Sequence, residues 1–159
     1  MTATETAQDQ KTVEQKIANE LLNTVMTFAR LVLRRYGELG PFGFEMNTEK
    51  QVSRAKLEIP RLPLDPQRQY QLLREHLRKD AQRGRILAAA MAANIALQEP
   101  SKEGYSDAVR VHIEQKNGYC TEAIVPYRMI GGQAWGLLPR RIVFGQIQAF
   151  DSPSILFTN

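Results

Sequence analysis

The residues best suited to chemistry are an imidazole, a carboxylate and a thiol that lie close together in the sequence: His112, Glu122 and Cys120. A carboxylate beside an imidazole could orient the ring and raise its pKa for acid–base work, and an imidazole beside a thiol could act as its base. A cross-strand charge pair and a small half-buried cysteine explain the same residues without catalysis. No serine, threonine or second carboxylate can be placed beside them from the sequence, so we prefer the structural interpretation.

Metal and cofactor motifs are not found in the sequence. Cys120 is the single cysteine, and the two histidines, His76 and His112, are far apart along the chain. One cysteine forms no internal disulfide, and this set is poor for zinc. The glycine-rich segment 131–136 leads toward a strand and no lysine follows it, unlike a phosphate-binding loop. We therefore expect neither a metal nor a cofactor.

Several arginines concentrate on the second predicted helix, where they could meet nucleic-acid phosphates. Glu75 and Asp80 interrupt the set, and no set of exposed aromatic residues accompanies it, as binding to a single strand commonly uses. A solvated helix surface is the simpler interpretation, and weak nucleic-acid binding is kept as an alternative. The arginines are Arg68, Arg74, Arg78, Arg83 and Arg85.

The composition is that of an ordinary globular domain, with 159 residues, 43% of them apolar and 24% charged, and a formal net charge of +4. Acidic and basic residues interleave along the chain. The net positive charge is therefore compatible with binding to nucleic acid or to a membrane surface, but it does not favour either. Met1 to Gln10 lack the apolar stretch of a signal peptide, and no run of about 18 apolar residues exists. We expect a cytoplasmic protein that does not contact a membrane.

A long helix is predicted from Thr12 to Tyr36, after a disordered tail over residues 1–11. The helix opens with the T-x-x-Q form of a capping box, and apolar residues recur at helical spacing around much of its circumference. Such a helix is buried on more than one side or meets a partner. Arg34 and Arg35 suit its last turn, and Gly37 suits its end.

Two strands and a second helix are predicted next. The strands cover residues 42–46 and run from Val52 or Ser53 to Ile59. Asp65-Pro66 is typical of a helix start. Arg85 to Gln98 is rich in alanine, yet its apolar residues alternate without interruption, which indicates a strand.

The clearest hairpin turns at residues 116–118. A three-residue turn pairs Ile113 with Thr121 and buries no charge, whereas a two-residue turn would place Glu122 on the apolar side, so we prefer the former. The more polar side of the pair then carries His112, Glu114, Cys120 and Glu122.

The remainder is predicted as a loop over residues 126–140, a last strand from Arg141 to Phe150, and a tail whose apolar residues need cover from the domain or from a second subunit. Residues 12–159 then form one α+β domain. Its mainly antiparallel sheet has about five to six strands, with two helices against one face.

This order of elements, over roughly residues 12–127, resembles the roadblock/profilin-like arrangement, in which a helix precedes a hairpin, a second helix crosses, and three strands complete the sheet. The stretch from Asp107 to Arg128, which ends in Val125-Pro126-Tyr127-Arg128, is similar to small uncharacterised bacterial proteins whose strand pair ends in Pro-Tyr. The first resemblance implies, by analogy, a dimeric adaptor that binds proteins. The second implies no established activity.

The sequence is therefore compatible with three functions. The first is a non-enzymatic homodimeric module that binds itself or another protein. The second is an enzyme or small-ligand binder that uses His112, Glu122 and Cys120, and the third is a nucleic-acid binder. The interaction residues expected for the first are Phe28, Val32, Trp135, Ile155, Leu156 and Phe157.

Overall fold

The computed structural model describes residues 3–57, 64–99, 103–132 and 137–158. These residues form an α+β fold with one antiparallel sheet. The elements in chain order are α1 (Ala3–Tyr36), β1 (Phe42–Asn47), β2 (Val52–Arg54), α2 (Pro66–Gln82), β3 (Ile86–Ala96), β4 (Asp107–Gln115), β5 (Cys120–Ile130), β6 (Arg141–Phe144) and β7 (Gln148–Asp151). The sheet order is β2-β1-β3-β4-β5-β6, and β7 also pairs with β5. The predicted fold class is confirmed, although the sheet has more strands than expected.

Helix α1 begins earlier than predicted. It starts at Ala3, so residues 3–11, expected as a disordered tail, are helical. Thr12 lies inside the helix, where its hydroxyl donates to the carbonyl of Gln8 at 3.0 Å instead of capping the end. No glycine or proline separates this stretch from the apolar part, and extending an existing helix costs far less than starting one. The predicted end is confirmed, since Gly37 has φ +74°.

The start of α2 agrees with its sequence signal. The Asp65 side chain accepts a hydrogen bond from the Arg68 N–H at 2.8 Å, and Pro66 is the first helical residue. Strand β3 is confirmed over Ile86–Ala96, because alternation outweighs the helix propensity of its alanines. Strand β2 ends at Arg54, so residues 55–57, which were predicted as strand, do not belong to it, and the last two predicted residues, 58 and 59, lie outside the described residues.

The predicted register of the β4–β5 hairpin is confirmed. Ile113 pairs with Thr121, and His112 pairs with Glu122. Gly118 has φ +98°, the left-handed conformation that this three-residue turn requires.

The C-terminal part of the sheet differs from the prediction. Strand β5 continues to Ile130, into the expected loop, and the expected last strand is divided into β6 and β7. Strand β6 pairs with residues 127–130 of β5, and β7 pairs with residues 121–124. Pro126 lies between these two segments, where its missing N–H breaks no ladder hydrogen bond, and its carbonyl accepts from Gly145 N at 2.7 Å.

The two helices pack on opposite faces of the sheet, not on one face as predicted. On β3, Ala88, Ala90 and Ala92 belong to the core beneath α1, whereas Ala89 and Met91 belong to the core beneath α2. A strand that is apolar on both sides needs cover on both sides. The small alanines obscured this second apolar face in the sequence.

The last residues add to the α2 core. Leu156 is fully buried there beside Leu73 and Leu77, with Ile155 and Phe157 packed partly around it. None of the helices in the described part of the chain combines the length and apolar character that crossing a bilayer requires.

Candidate functional site

Glu114 is a fully buried carboxylate at the end of β4, and it is bound by the C-terminal segment, which we define as residues 152–158. The backbone N–H groups of Ile155 and Phe157 donate to it at 3.0 and 2.9 Å. The N–H of Leu156 reaches both oxygens at 3.1 and 3.0 Å, and the Ser154 hydroxyl donates as well. Consecutive N–H groups around one carboxylate form an anion-binding nest, here occupied by the chain's own side chain.

His112 and Cys120 continue this network. The His112 Nε2 lies 2.9 Å from Glu114 Oε2 and 3.6 Å from the Cys120 sulfur. The Cys120 thiol also donates to the carbonyl of Pro153 at 3.4 Å. Burial alone would raise the pKa of Glu114, but hydrogen bonds from His112, Ser154 and the backbone outweigh it and lower that pKa to about 2. Glu114 is therefore ionised at neutral pH although it is buried.

The Cys120 thiol is in the opposite situation. Burial first, and then the negative charges of Glu114 and Glu122, raise its pKa to about 11, although a hydrogen bond with Ser152 lowers it in part. A nucleophilic cysteine needs a lowered pKa, because the thiolate is the reactive species. At neutral pH this thiol stays protonated, so the arrangement lacks an activated nucleophile at Cys120.

Glu122 does not bind the histidine that faces it across the strands. Its Oε1 pairs with the Arg110 Nε, and its Oε2 accepts from the Ser152 hydroxyl at 3.4 Å. The backbones of His112 and Glu122 are thus paired as predicted, but their side chains do not bind each other. The expectation that this register buries no charge is wrong, since Glu114 and Glu122 are both buried.

Sequence reasoning missed Glu114 as the centre of this network. Its partners come from residues about 40 positions away, in a tail with no regular spacing. The sequence does place an acidic residue on the polar side of this strand, but no pattern in the sequence indicates which residues bind it.

Three potential metal ligands meet here, because the ligand atoms of His112, Glu114 and Cys120 lie within 4.8 Å of one another. Both Glu114 oxygens already accept several hydrogen bonds, so an ion would have to displace the C-terminal segment. The arrangement is chemically suited to fasten that segment to the sheet.

A second candidate site is the outer face of α1. Residues Leu21, Val25 and Leu33 point into the core, whereas Leu31 on the opposite side is 63% exposed and Tyr36 is 61% exposed. Phe28 is half-buried at the edge of that core and packs on Phe42 and Phe44, and Val32 is also half-buried. A groove of about 590 Å³, which we call the α1 groove, is lined by Asn23, Thr24, Thr27, Phe28, Arg30, Leu31, Arg34 and Phe44.

Charge is distributed unevenly along α1. Four acidic residues and two lysines precede Leu21, a net charge of −2, whereas the part after Leu21 carries three arginines and no acid, a net charge of +3. This arrangement complements the helix dipole, and it also makes the two halves of the helix electrostatically complementary. The charged side chains on the solvent side include Asp9, Lys16, Glu20, Arg30 and Arg34.

The other expected interaction residues are distributed differently. Leu156 is buried, and Ile155 and Phe157 pack against the α2 core, so the domain itself covers much of this apolar tail. Trp135 lies outside the described residues.

The remaining candidate motifs are in the expected places. The five arginines expected on or beside α2 are exposed, together with Glu75, which matches a solvated mixed-charge surface. Gly131 and Gly132 have positive φ in a loop between strands, and a side chain on Gly131 would meet the carbonyl of Pro139 at 2.4 Å. These glycines are explained by a tight turn.

Comparison with known proteins identifies no relative: no protein-family model, curated protein or solved structure matches the chain. The roadblock/profilin-like resemblance consequently rests on element order.

Proposed function

We propose that the chain is a non-enzymatic protein–protein interaction module that works as a homodimer through the outer face of α1. The observation that supports this most directly is Leu31, a large apolar side chain 63% exposed beside an apolar groove. Exposed apolar patches are costly in water and commonly mark interfaces. The half-buried Phe28 extends the same surface.

A second copy of the chain is the occupant we favour, because the charge pattern of α1 is self-complementary. In an antiparallel pair related by a two-fold axis, the acidic half of each helix lies along the arginine-rich half of the other. The helix is roughly 51 Å long at 1.5 Å per residue, enough for an extended interface. Parallel pairing would bring like charges together.

The network around Glu114 supports a non-enzymatic role. Its carboxylate is saturated by hydrogen bonds, and the pKa of the Cys120 thiol is raised, so the expected catalytic groups are engaged in holding the C-terminal segment. We also propose a reducing, cytoplasmic location, which suits a single unpaired thiol.

Sedimentation equilibrium of the full chain over a wide concentration range tests this proposal. We expect a dimer for the natural sequence and a monomer for Leu31→Glu, because a carboxylate at an apolar interface would have to be desolvated. Ile147→Glu is the matched control, since Ile147 is also apolar and 47% exposed but belongs to the link between β6 and β7 and does not line the α1 groove. A monomeric natural chain, or equal effects of the two variants, would overturn the proposal.

A further inference from the structure

We propose that Glu45, His76 and Asp80 form a binding site for a divalent transition-metal ion of the zinc class, between α2 and the sheet. The site is separate from the Glu114 network. Glu45 belongs to β1, and His76 and Asp80 lie one turn apart on α2. Their ligand atoms all lie within 4.8 Å of one another.

The spacing of these atoms suits one small ion. His76 Nε2 and Asp80 Oδ2 are 3.5 Å apart. Ligands bound at about 2.1 Å around a tetrahedral ion are roughly 3.4 Å from one another, so an ion could bind both after small side-chain rotations. Residues at i and i+4 project from the same side of a helix, which is why this helical spacing recurs in metal sites.

Glu45 provides a second, independent observation that fits a cation at this place. Its Oε2 has almost no solvent-accessible surface and no hydrogen-bond partner among the described residues. An unsatisfied buried oxygen is costly, and a carboxylate costs more than a neutral group. Asp80 places a second carboxylate in the same group. A divalent ion between the two carboxylates would satisfy the oxygen and remove their repulsion.

The fold brings the three ligands together through small residues. Gly43 lies two positions before Glu45 and therefore on the same side of β1. A side chain on Gly43 would come within 3.0 Å of Leu73, so its absence allows α2 to approach the sheet closely. The cross-strand neighbour of Glu45 is Ala89, which also occupies little space.

The donor set defines the class of ion. One imidazole and two carboxylates suit Zn²⁺ or another borderline divalent ion better than Ca²⁺, which prefers oxygen ligands throughout. Three protein ligands leave at least one coordination position for water. Arg85 lies 3.6 Å from the other oxygen of Asp80 and can hold that carboxylate in orientation.

Titration calorimetry of the metal-free full chain with Zn²⁺ tests this site. We expect one equivalent to bind the natural chain, and the affinity to fall at least about tenfold in Glu45→Gln and in His76→Gln. Glu45→Gln removes a poorly solvated charge, so it is expected to fold at least as well as the natural chain. Glu75→Gln, an exposed carboxylate on the same helix, is the matched control and should bind normally.

Substitution with Co²⁺ distinguishes this site from the group formed by His112, Glu114 and Cys120. We expect a d–d spectrum of nitrogen and oxygen ligation without a thiolate-to-cobalt charge-transfer band, unchanged in Cys120→Ser. The absence of stoichiometric binding, binding that survives both Glu45→Gln and His76→Gln, or a charge-transfer band lost in Cys120→Ser would each overturn the proposal.

Discussion

At the scale of single residues, Glu114 joins the end of the chain to the middle of the sheet. A buried charge is tolerated only when its hydrogen bonds are complete, and the C-terminal segment completes them. A buried N–H group without an acceptor lowers the stability of the fold by more than its hydrogen bond adds when the bond is made. The identity of this one side chain therefore affects the position of the whole segment.

We expect Glu114→Gln to reduce the free energy of unfolding by about 3 kcal/mol, because the amide places a donor against backbone N–H groups and removes a buried charge that they stabilise. Urea denaturation at neutral pH measures this loss. Glu75→Gln, an exposed carboxylate, should change stability by less than about 0.5 kcal/mol. Equal effects of the two variants would contradict the role assigned to Glu114.

The same side chain predicts a pH dependence. Its pKa falls from an ordinary value of 4.5 to about 2 in the folded chain, so its stabilisation is complete above about pH 5 and is lost as the pH falls from 4.5 toward 2. In urea denaturation at several pH values, the difference between the natural chain and Glu114→Gln should shrink across that range. A difference that stays constant with pH would show that the carboxylate does not titrate as described.

Cys120 should be unreactive in the folded protein. With a pKa raised from 9.0 to about 11, its thiolate fraction at pH 8 is roughly 100-fold lower than in an unfolded chain. We expect alkylation by iodoacetamide to be slower by about that factor without urea than with it. Similar rates in the two conditions would restore the nucleophile hypothesis for Cys120 and His112.

At the scale of elements, the C-terminal segment acts as a cover for the sheet although it has no regular structure. Leu156 enters the α2 core while its neighbours' N–H groups bind Glu114, so one short segment combines apolar burial with backbone hydrogen bonding. This arrangement also covers the polar side of the β4–β5 hairpin.

We expect Leu156→Ala to destabilise the protein by about 2–5 kcal/mol, because it leaves a cavity between α2 and the sheet. Phe150→Ala is the control, since Phe150 on β7 is 50% exposed and its truncation leaves no comparable cavity. Urea denaturation of both variants provides the comparison. A loss of less than about 1 kcal/mol for Leu156→Ala would show that the segment contributes little to the core.

The elements also show where sequence patterns are informative. The β4–β5 register and the start of α2 followed from local rules, a turn glycine and an Asp-Pro pair, and both are confirmed. The division of the last strand and the extension of β5 depend on pairing between distant strands, which no local pattern records. The early start of α1 was missed because an uninterrupted helix can extend beyond its apolar stripe.

The candidate sites were predictable only in part. His112, Glu122 and Cys120 were selected by residue type, and the first two do face each other across the strands. Their actual partners, Glu114 and Arg110, follow from side-chain directions and from cover by a distant segment. The sequence likewise does not show that Glu45, His76 and Asp80 lie close together, because their proximity depends on how α2 packs on β1.

At the scale of the whole molecule, the sheet is covered by α1 on one face and by α2 with the C-terminal segment on the other. The two covers differ in their outer surfaces. Helix α2 presents mixed charge to solvent, whereas α1 presents Leu31 and the α1 groove. The exposed side of α1 is therefore the surface on which we base the proposed dimer.

The antiparallel arrangement can be tested by exchanging charges between its two halves. Glu20→Arg and Arg34→Glu each place like charges together in an antiparallel homodimer, because the acidic half of one helix faces the basic half of the other. Mixing the two variants restores opposite charges on both sides of the two-fold axis. Parallel pairing would leave the single variants as associated as the natural chain.

Sedimentation equilibrium of the two variants, separately and mixed in equal amounts, tests the proposed antiparallel homodimer. We expect monomers for Glu20→Arg and for Arg34→Glu alone and a dimer for the mixture, with a dimeric natural chain measured alongside. A natural chain that remains monomeric at high concentration, or a mixture that associates no more than its components, would contradict the proposed homodimer.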